Sequence, residues 1–179
     1  MPTFEFEDPT RLRVLKKLTE ILSSINPAAG YRNDMGVSEE APDGRVFRGR
    51  VLFGDDAPLP MIAILETPLQ PDQLTTQPDN SVIHGSWDLT IQGFTEDDFL
   101  NPTDPAHYLV ADVIRRLAVE KRRNVNFELF DMGDIVTNIT IGVPVVRPPD
   151  EISAKAYFYL PIVLTIAEDL FKPYGDETP

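Results

Sequence analysis

The sequence predicts an α+β fold, a mixed α/β sandwich in which two main helices pack on a mostly antiparallel or mixed sheet. Three observations predict it. Two segments carry apolar residues at helical spacing just after an Asp-Pro pair, and several others read as strands by alternation or by short apolar runs. Their order is helix, three strands, helix, then two or three strands. The chain has 179 residues, 42% hydrophobic and 25% charged, which suits one domain over 1–179 with a single packed core.

The first helix is announced by Asp8 as N-cap and Pro9 at the first helical position, where a missing N–H costs nothing. Leu12, Leu15, Leu18, Leu22 and Ile25 follow at helical spacing until Asn26-Pro27 stops the run. Residues 28–44 are loop-like, with Gly30, Gly36, Pro42 and Asp43-Gly44 as turn formers. Residues 46–53 alternate, setting Phe47, Val51 and Phe53 on one face and Arg48 and Arg50 on the other, the pattern of a half-buried strand. Residues 61–65 form a continuous apolar run between Pro60 and Pro68, expected as a strand covered on both faces and paired with its predecessor. Residues 68–81 are polar, proline-punctuated and without period, which predicts a projecting loop or arm.

Residues 82–95 include another alternating strand, with Trp87, Leu89 and Ile91 on one side and Asp88, Thr90 and Gln92 on the other. The second helix repeats the start signal with Asp104 and Pro105, and Leu109, Val110, Val113, Ile114 and Leu117 form its stripe. It ends near Arg122-Arg123-Asn124, where late cations suit the helix dipole. Residues 126–130, 135–146 and 157–166 are rich in β-branched or aromatic residues and are expected as strands. Residues 168–179 read as an acidic C-terminal tail. Trp87 and Phe94 are expected in core and loop packing.

With no cysteine, disulfides, thiolate zinc sites and cysteine nucleophiles are ruled out. The N-terminal residues are acidic without an apolar core segment, and residues 160–167 are interrupted by Pro161 and Thr165, so the chain reads as soluble and without a secretory leader. A net charge of −13 disfavours tight binding to nucleic acid or anionic membranes. Between Arg50 and Arg115 there is no Lys or Arg, while that interval holds Asp88, Glu96, Asp97, Asp98, Asp104 and Asp112 among its acids. Such a run is either a solvated face or a deliberate electronegative surface.

A search for chemistry finds no catalytic site, no cofactor site and no metal site. The only bases of suitable pKa, His84 and His107, fall in a strand and in the first turn of a helix, and each has a structural or surface role open to it. Glu96, Asp97, Asp98 and Asp104 carry hard oxygen ligands, yet no D-x-D-x-D-G loop accompanies them. No Lys follows a Gly-rich run in the Walker pattern, and Gly30 and Gly36 lack the dinucleotide fingerprint. A paired-carboxylate glycosidase is unsupported, although spacing does not test it. The chain is therefore expected to be no enzyme.

Cations gather at Arg48, Arg50, Arg115-Arg116 and Lys121-Arg122-Arg123. They serve solubility and the helix C-terminus, or they meet the acidic interval of a neighbouring subunit. Opposite charges on separate surfaces of one molecule make a head-to-tail contact, which closes into a ring when the rotation permits. Arg48, Arg50, Arg122 and Arg123 are the candidate subunit-interface residues.

The stretch Trp87-Asp88-Leu89-Thr90-Ile91-Gln92-Gly93, followed by Pro105-Ala106-His107-Tyr108-Leu109-Val110-Ala111-Asp112-Val113-Ile114-Arg115-Arg116-Leu117, resembles the tail terminator, or tail completion, proteins of long-tailed bacteriophages. In that family an aromatic-rich strand ending near a glycine precedes a helix with a similar Ala-Asp-Val-Ile pattern, and a late strand completes the sheet. The resemblance extends from Thr10 to Ala167. It implies a structural virion protein forming a ring, commonly a hexamer, that caps the tail tube, stops its polymerisation and offers a surface to the head connector. The implied partners are other copies of the chain, the tail tube protein and a head-tail connector or neck protein, with DNA as passing, non-specific cargo and no membrane. The implied location is the virion tail or neck, after assembly in the host cytoplasm. Another head-to-tail joining or neck protein shares the same features. A small metal-dependent hydrolase using Glu96, Asp97, Asp98 and His107 is the alternative from a different class.

Overall fold

The computed structural model describes residues 7–51, 53–54, 57–68, 81–126, 129–151 and 153–174. Helix α1 spans Thr10–Ser23, one residue later than the Asp-Pro signal predicts, because Pro9 takes the cap position with an extended backbone. Its carbonyl accepts the first helical bond from the Arg13 N–H at 3.0 Å. The Thr10 N–H, which no helical carbonyl can reach, donates instead to the carbonyl of Pro173 at 2.8 Å. Asp8 pairs with Lys16 and caps nothing. Leu15, Leu18, Leu22 and Ile25 are buried as expected, joined by Val14 and Ile21.

The sheet contains β1 (Val46–Arg48), β2 (Met61–Glu66), β3 (Val82–Thr95), β4 (Val136–Ile141), β5 (Val145–Arg147) and β6 (Ala156–Asp169). Its order is β1-β2-β3-β6-β4, with β5 also paired to β6. Only β1 and β2 run parallel; all other pairs are antiparallel. The central ladder is long, from Val82 opposite Asp169 to Thr95 opposite Ala156. Helix α2 (Asp104–Arg123) packs over β3, β6 and β4, and α1 packs over β1 and against α2, so two helices lie on a six-strand mixed, mostly antiparallel sheet. The predicted α+β fold is the observed one.

Period two decides which face each residue buries. Ile62, Ile64, Trp87, Leu89, Ile91, Leu160, Ile162 and Leu164 meet the helices in one large core. The other face carries a smaller cluster of Met61, Phe94 and Tyr157, with Phe47, Phe53, Leu59 and Tyr159 packed on it.

The strand expected over 46–53 is only three residues long. Gly49 turns the chain at φ +64, a conformation that L side chains avoid. Beyond it the alternation breaks: Arg50 lies over the rings of Phe47 and Phe53, on the side assigned to the apolar residues. Of the strand expected over 126–130, residues 127 and 128 lie outside the described residues, and the described ones form no strand. Asn124–Asn126 and Leu129–Asp131 are short 3-10 turns, in which Phe130 and Asp131 hold φ of +56 and +53. Leu129 and Phe130 are apolar because they plug the core.

The single strand expected over 135–146 is divided into β4 and β5. Pro161 sits in β6 at that break, and its carbonyl accepts from the Gly142 N–H at 2.8 Å. In an antiparallel strand a residue's N–H and C=O point to the same side, so the donor that Pro161 lacks would face the gap between β4 and β5. The proline is tolerated in a long paired strand because nothing there needs its proton.

The expected tail begins inside β6. Glu168 pairs with Arg11 at 2.9 Å and Leu170 donates to the Ser81 carbonyl at 3.0 Å. Residues 175–179 lie outside the described residues, as does the expected arm, apart from Pro68 and Ser81.

Candidate assembly surface

The four candidate arginines do not form one patch. Arg48 points from β1 toward α1, where its guanidinium donates to the Thr19 hydroxyl at 2.9 Å; it has no carboxylate partner among the described residues. Arg50 stacks on the Phe47 and Phe53 rings at 4.7 and 5.0 Å. Arg122 is exposed at the end of α2.

Arg123 is structural. It donates to Glu120 at 3.0 Å and pairs with Asp131, whose carboxyl it holds below the usual range by hydrogen bonding, while Asp131 in turn raises the guanidinium. Glu120 is fully buried and also accepts from the backbone N–H of Phe130 at 3.0 Å and from Arg116 at 3.4 Å. This cluster holds the left-handed turn at 130–131 against the end of α2.

Sequence reasoning missed that α1 also contributes to the basic surface. Arg13, Lys16, Lys17, Glu20, Asp131 and Met132 line a cleft of about 300 Å³. Arg48 reaches α1 at Thr19, and Arg123 comes to the same helix through Asp131. The signal was present in the polar side of α1, where Arg13, Lys16, Lys17 and Glu20 recur at three- and four-residue spacing.

The acidic interval is dispersed. Asp112 is 8% exposed and accepts from the backbone N–H groups of Arg32 and Asn33 at 3.0 and 2.9 Å and from the Asn33 amide at 2.8 Å. It is buried and anchors a loop. Asp88 shares the helix-free side of β3 with Ser86 and the exposed His84. Glu96 pairs with Lys155 at 2.7 Å.

Asp98 accepts from the N–H groups of Leu100 and Asn101 at 2.9 and 2.8 Å, which fixes a short turn. Asp104 lies in the first turn of α2, and His107 is exposed one turn further on. Among the described residues, no three acidic or histidine side chains gather into a metal-binding group. No helix among them is long and apolar enough to cross a membrane.

The turn held by Asp98 presents two strongly exposed large apolar residues, Phe99 at 97% and Leu100 at 80%. An ion pair marks each end of β6. Near its start, Lys155 pairs with the acidic turn at Glu96; near its end, Glu168 pairs with Arg11 at the base of α1. At a rise of ~3.3 Å per residue these contacts lie roughly 40 Å apart. No protein-family model matches the chain, and no curated protein matches its sequence.

Proposed function

We propose that the chain is a structural virion protein, the tail terminator of a long-tailed bacteriophage, which assembles head to tail into a ring, commonly a hexamer, on the end of the tail tube. One observation carries the reading. The acidic turn at 96–98 lies at one end of the long central ladder and Arg11, at the start of the basic helix α1, at the other, so one copy would offer its acids where the next offers its bases. A contact between unlike surfaces propagates, and closes if the rotation allows.

Two edges of the sheet support the same reading. Among the described residues β1 has no partner beyond β2, and β4 none beyond β6, so each leaves backbone donors and acceptors for a neighbour. Subunits of the ring and of the tail tube are the partners that would use them. A ring capping the tube stops its polymerisation and gives the head connector or neck protein a surface. A net charge of −13 suits a lumen through which DNA slides as non-specific cargo, because phosphates are repelled.

The reading is tested by adding the purified chain to polymerising tail tube subunits. Tubes should become shorter as the ratio of chain to tube protein rises, with the chain found at one end. Unchanged tube lengths at every ratio would contradict termination.

A further inference from the structure

In a chain of net charge −13, α1 carries Arg11, Arg13, Lys16 and Lys17 against one acid, Glu20. Arg13, Lys16 and Lys17 stand together on the cleft of about 300 Å³ that Met132 helps to line. Their bonds inside the chain are exchangeable. Lys16 pairs with Asp8 and Lys17 with Glu20 across exposed surface, where ion pairs contribute little and give way to new partners. Arg13 is the least committed of them. It donates to the Thr10 hydroxyl at 3.5 Å, stands 3.9 Å from the exposed Glu7, and leaves its buried Nε without a partner. A guanidinium carries more donors than those contacts use.

The chain also carries a complementary piece. Of the acids in the 96–98 turn, Glu96 pairs with Lys155 at 2.7 Å and Asp98 takes the N–H groups of Leu100 and Asn101. Asp97 is exposed and has no hydrogen bond or ion pair among the described residues. Beside it, Phe99 and Leu100 project into solvent from the turn that Asp98 stiffens. An uncommitted carboxylate and an uncovered aromatic ring thus stand side by side, the combination of an interface anchor with a charged rim. The length of β6 from Ala156 to Ile166 separates this turn from the segment that carries Met132 into β4. Only a second copy can bring the two together.

We propose that the 96–101 turn of one copy seats on the α1 cleft of the next, with Phe99 against Met132 and the aliphatic stems of Lys16 and Lys17, and Asp97 on the Arg13 guanidinium. This rests on the head-to-tail reading above and names the residues of its contact. Because the contact is partly apolar, salt should weaken it without abolishing it.

The chain has no cysteine, so introduced thiols report alone. One preparation carries Leu100→Cys, which keeps Phe99, and another carries Glu20→Cys on the exposed rim of the cleft. They are mixed with a short bismaleimide, and a mixture of Leu100→Cys with Val143→Cys, exposed between β4 and β5, is the control. The expected result is cross-linking about tenfold faster than the control, the scale of one interface anchor. A rate equal to the control overturns the contact.

A charge exchange gives a second readout. Asp97→Arg and Arg13→Glu should each weaken self-association about tenfold, with thermal midpoints showing that the variants stay folded, and the two changes in one chain should restore it. Undiminished self-association in both single variants, or no recovery in the double variant, overturns the proposal. The cross-link leaves Arg13 in place and decides the case if Arg13→Glu does not fold. Rings without the cross-link would refute this contact alone; the cross-link in dimers or open chains without rings would refute the ring alone.

Discussion

Gly93 of β3 lies directly across the ladder from Phe158 of β6, and the Phe158 ring occupies the space a side chain at 93 would need. A Cβ there would come within 2.1 Å of Phe158 Cε1 and 2.4 Å of Cζ. Phe158 is fully buried in the main core and cannot swing away without opening a cavity. Gly93 is thus required by what its neighbour buries. Gly93→Ala should lower stability by about 1–3 kcal/mol, the usual cost of overpacking. Gly93→Ala combined with Phe158→Leu should lose less than the two single changes summed, as chemical denaturation would show.

Glu120 should be the most sensitive charged residue. Its carboxylate joins Arg116, Arg123 and the Phe130 N–H in the interior. Glu120→Ala leaves that N–H unsatisfied and should cost about 1–3 kcal/mol. Hydrogen exchange should localise the loss to residues 129–135 and the last turn of α2.

Arg123 should behave unlike the other arginines. Arg48→Glu with Arg122→Glu should leave denaturation midpoints nearly unchanged, since surface changes usually stay within about 0.5 kcal/mol, while weakening assembly and altering its salt dependence. Arg123→Glu should destabilise the monomer by placing a like charge beside Glu120 and Asp131. Unchanged assembly in the first variant would refute an electrostatic contact through those residues.

Acid should remove a specific part of the stability. The carboxyl of Asp131 is held low by the hydrogen bond from Arg123, and that of Asp169 by the Ser81 hydroxyl and then the Phe171 N–H. A carboxylate whose folded pKa is depressed binds protons more readily when unfolded, so its stabilisation is present above its unfolded value and is lost as pH falls through the folded one. Urea midpoints measured from about pH 6 down to about pH 3 should fall less steeply for Asp131→Asn than for the unsubstituted chain.

The fold was legible where period and burial agree. The 3.6-residue stripes of α1 and α2 and the alternation around Trp87 survive in the structure because one face of each is covered, and the apolar run of β2 because both of its faces are. Legibility failed where a local backbone state or a distant partner decides. Gly49 ends β1 through a positive φ that alternation does not encode. Phe130 belongs to a strand by composition and to a left-handed turn by virtue of Glu120, ten residues earlier. Asp112 and Arg123 were grouped with surface charges because sequence separation hides partners such as Asn33 and Asp131. The burial of Gln92 was not visible at all, since it reads as the polar side of an alternating strand and only its three-dimensional neighbours bury it.

The central claim is that copies of this chain assemble head to tail into a ring. The most direct measurement is native mass across a range of protein concentrations, with negative-stain electron microscopy of the same samples. A ring with an open centre, six-membered in its commonest form, is the predicted result. A monomer at every concentration, with no rings in the images, would contradict it.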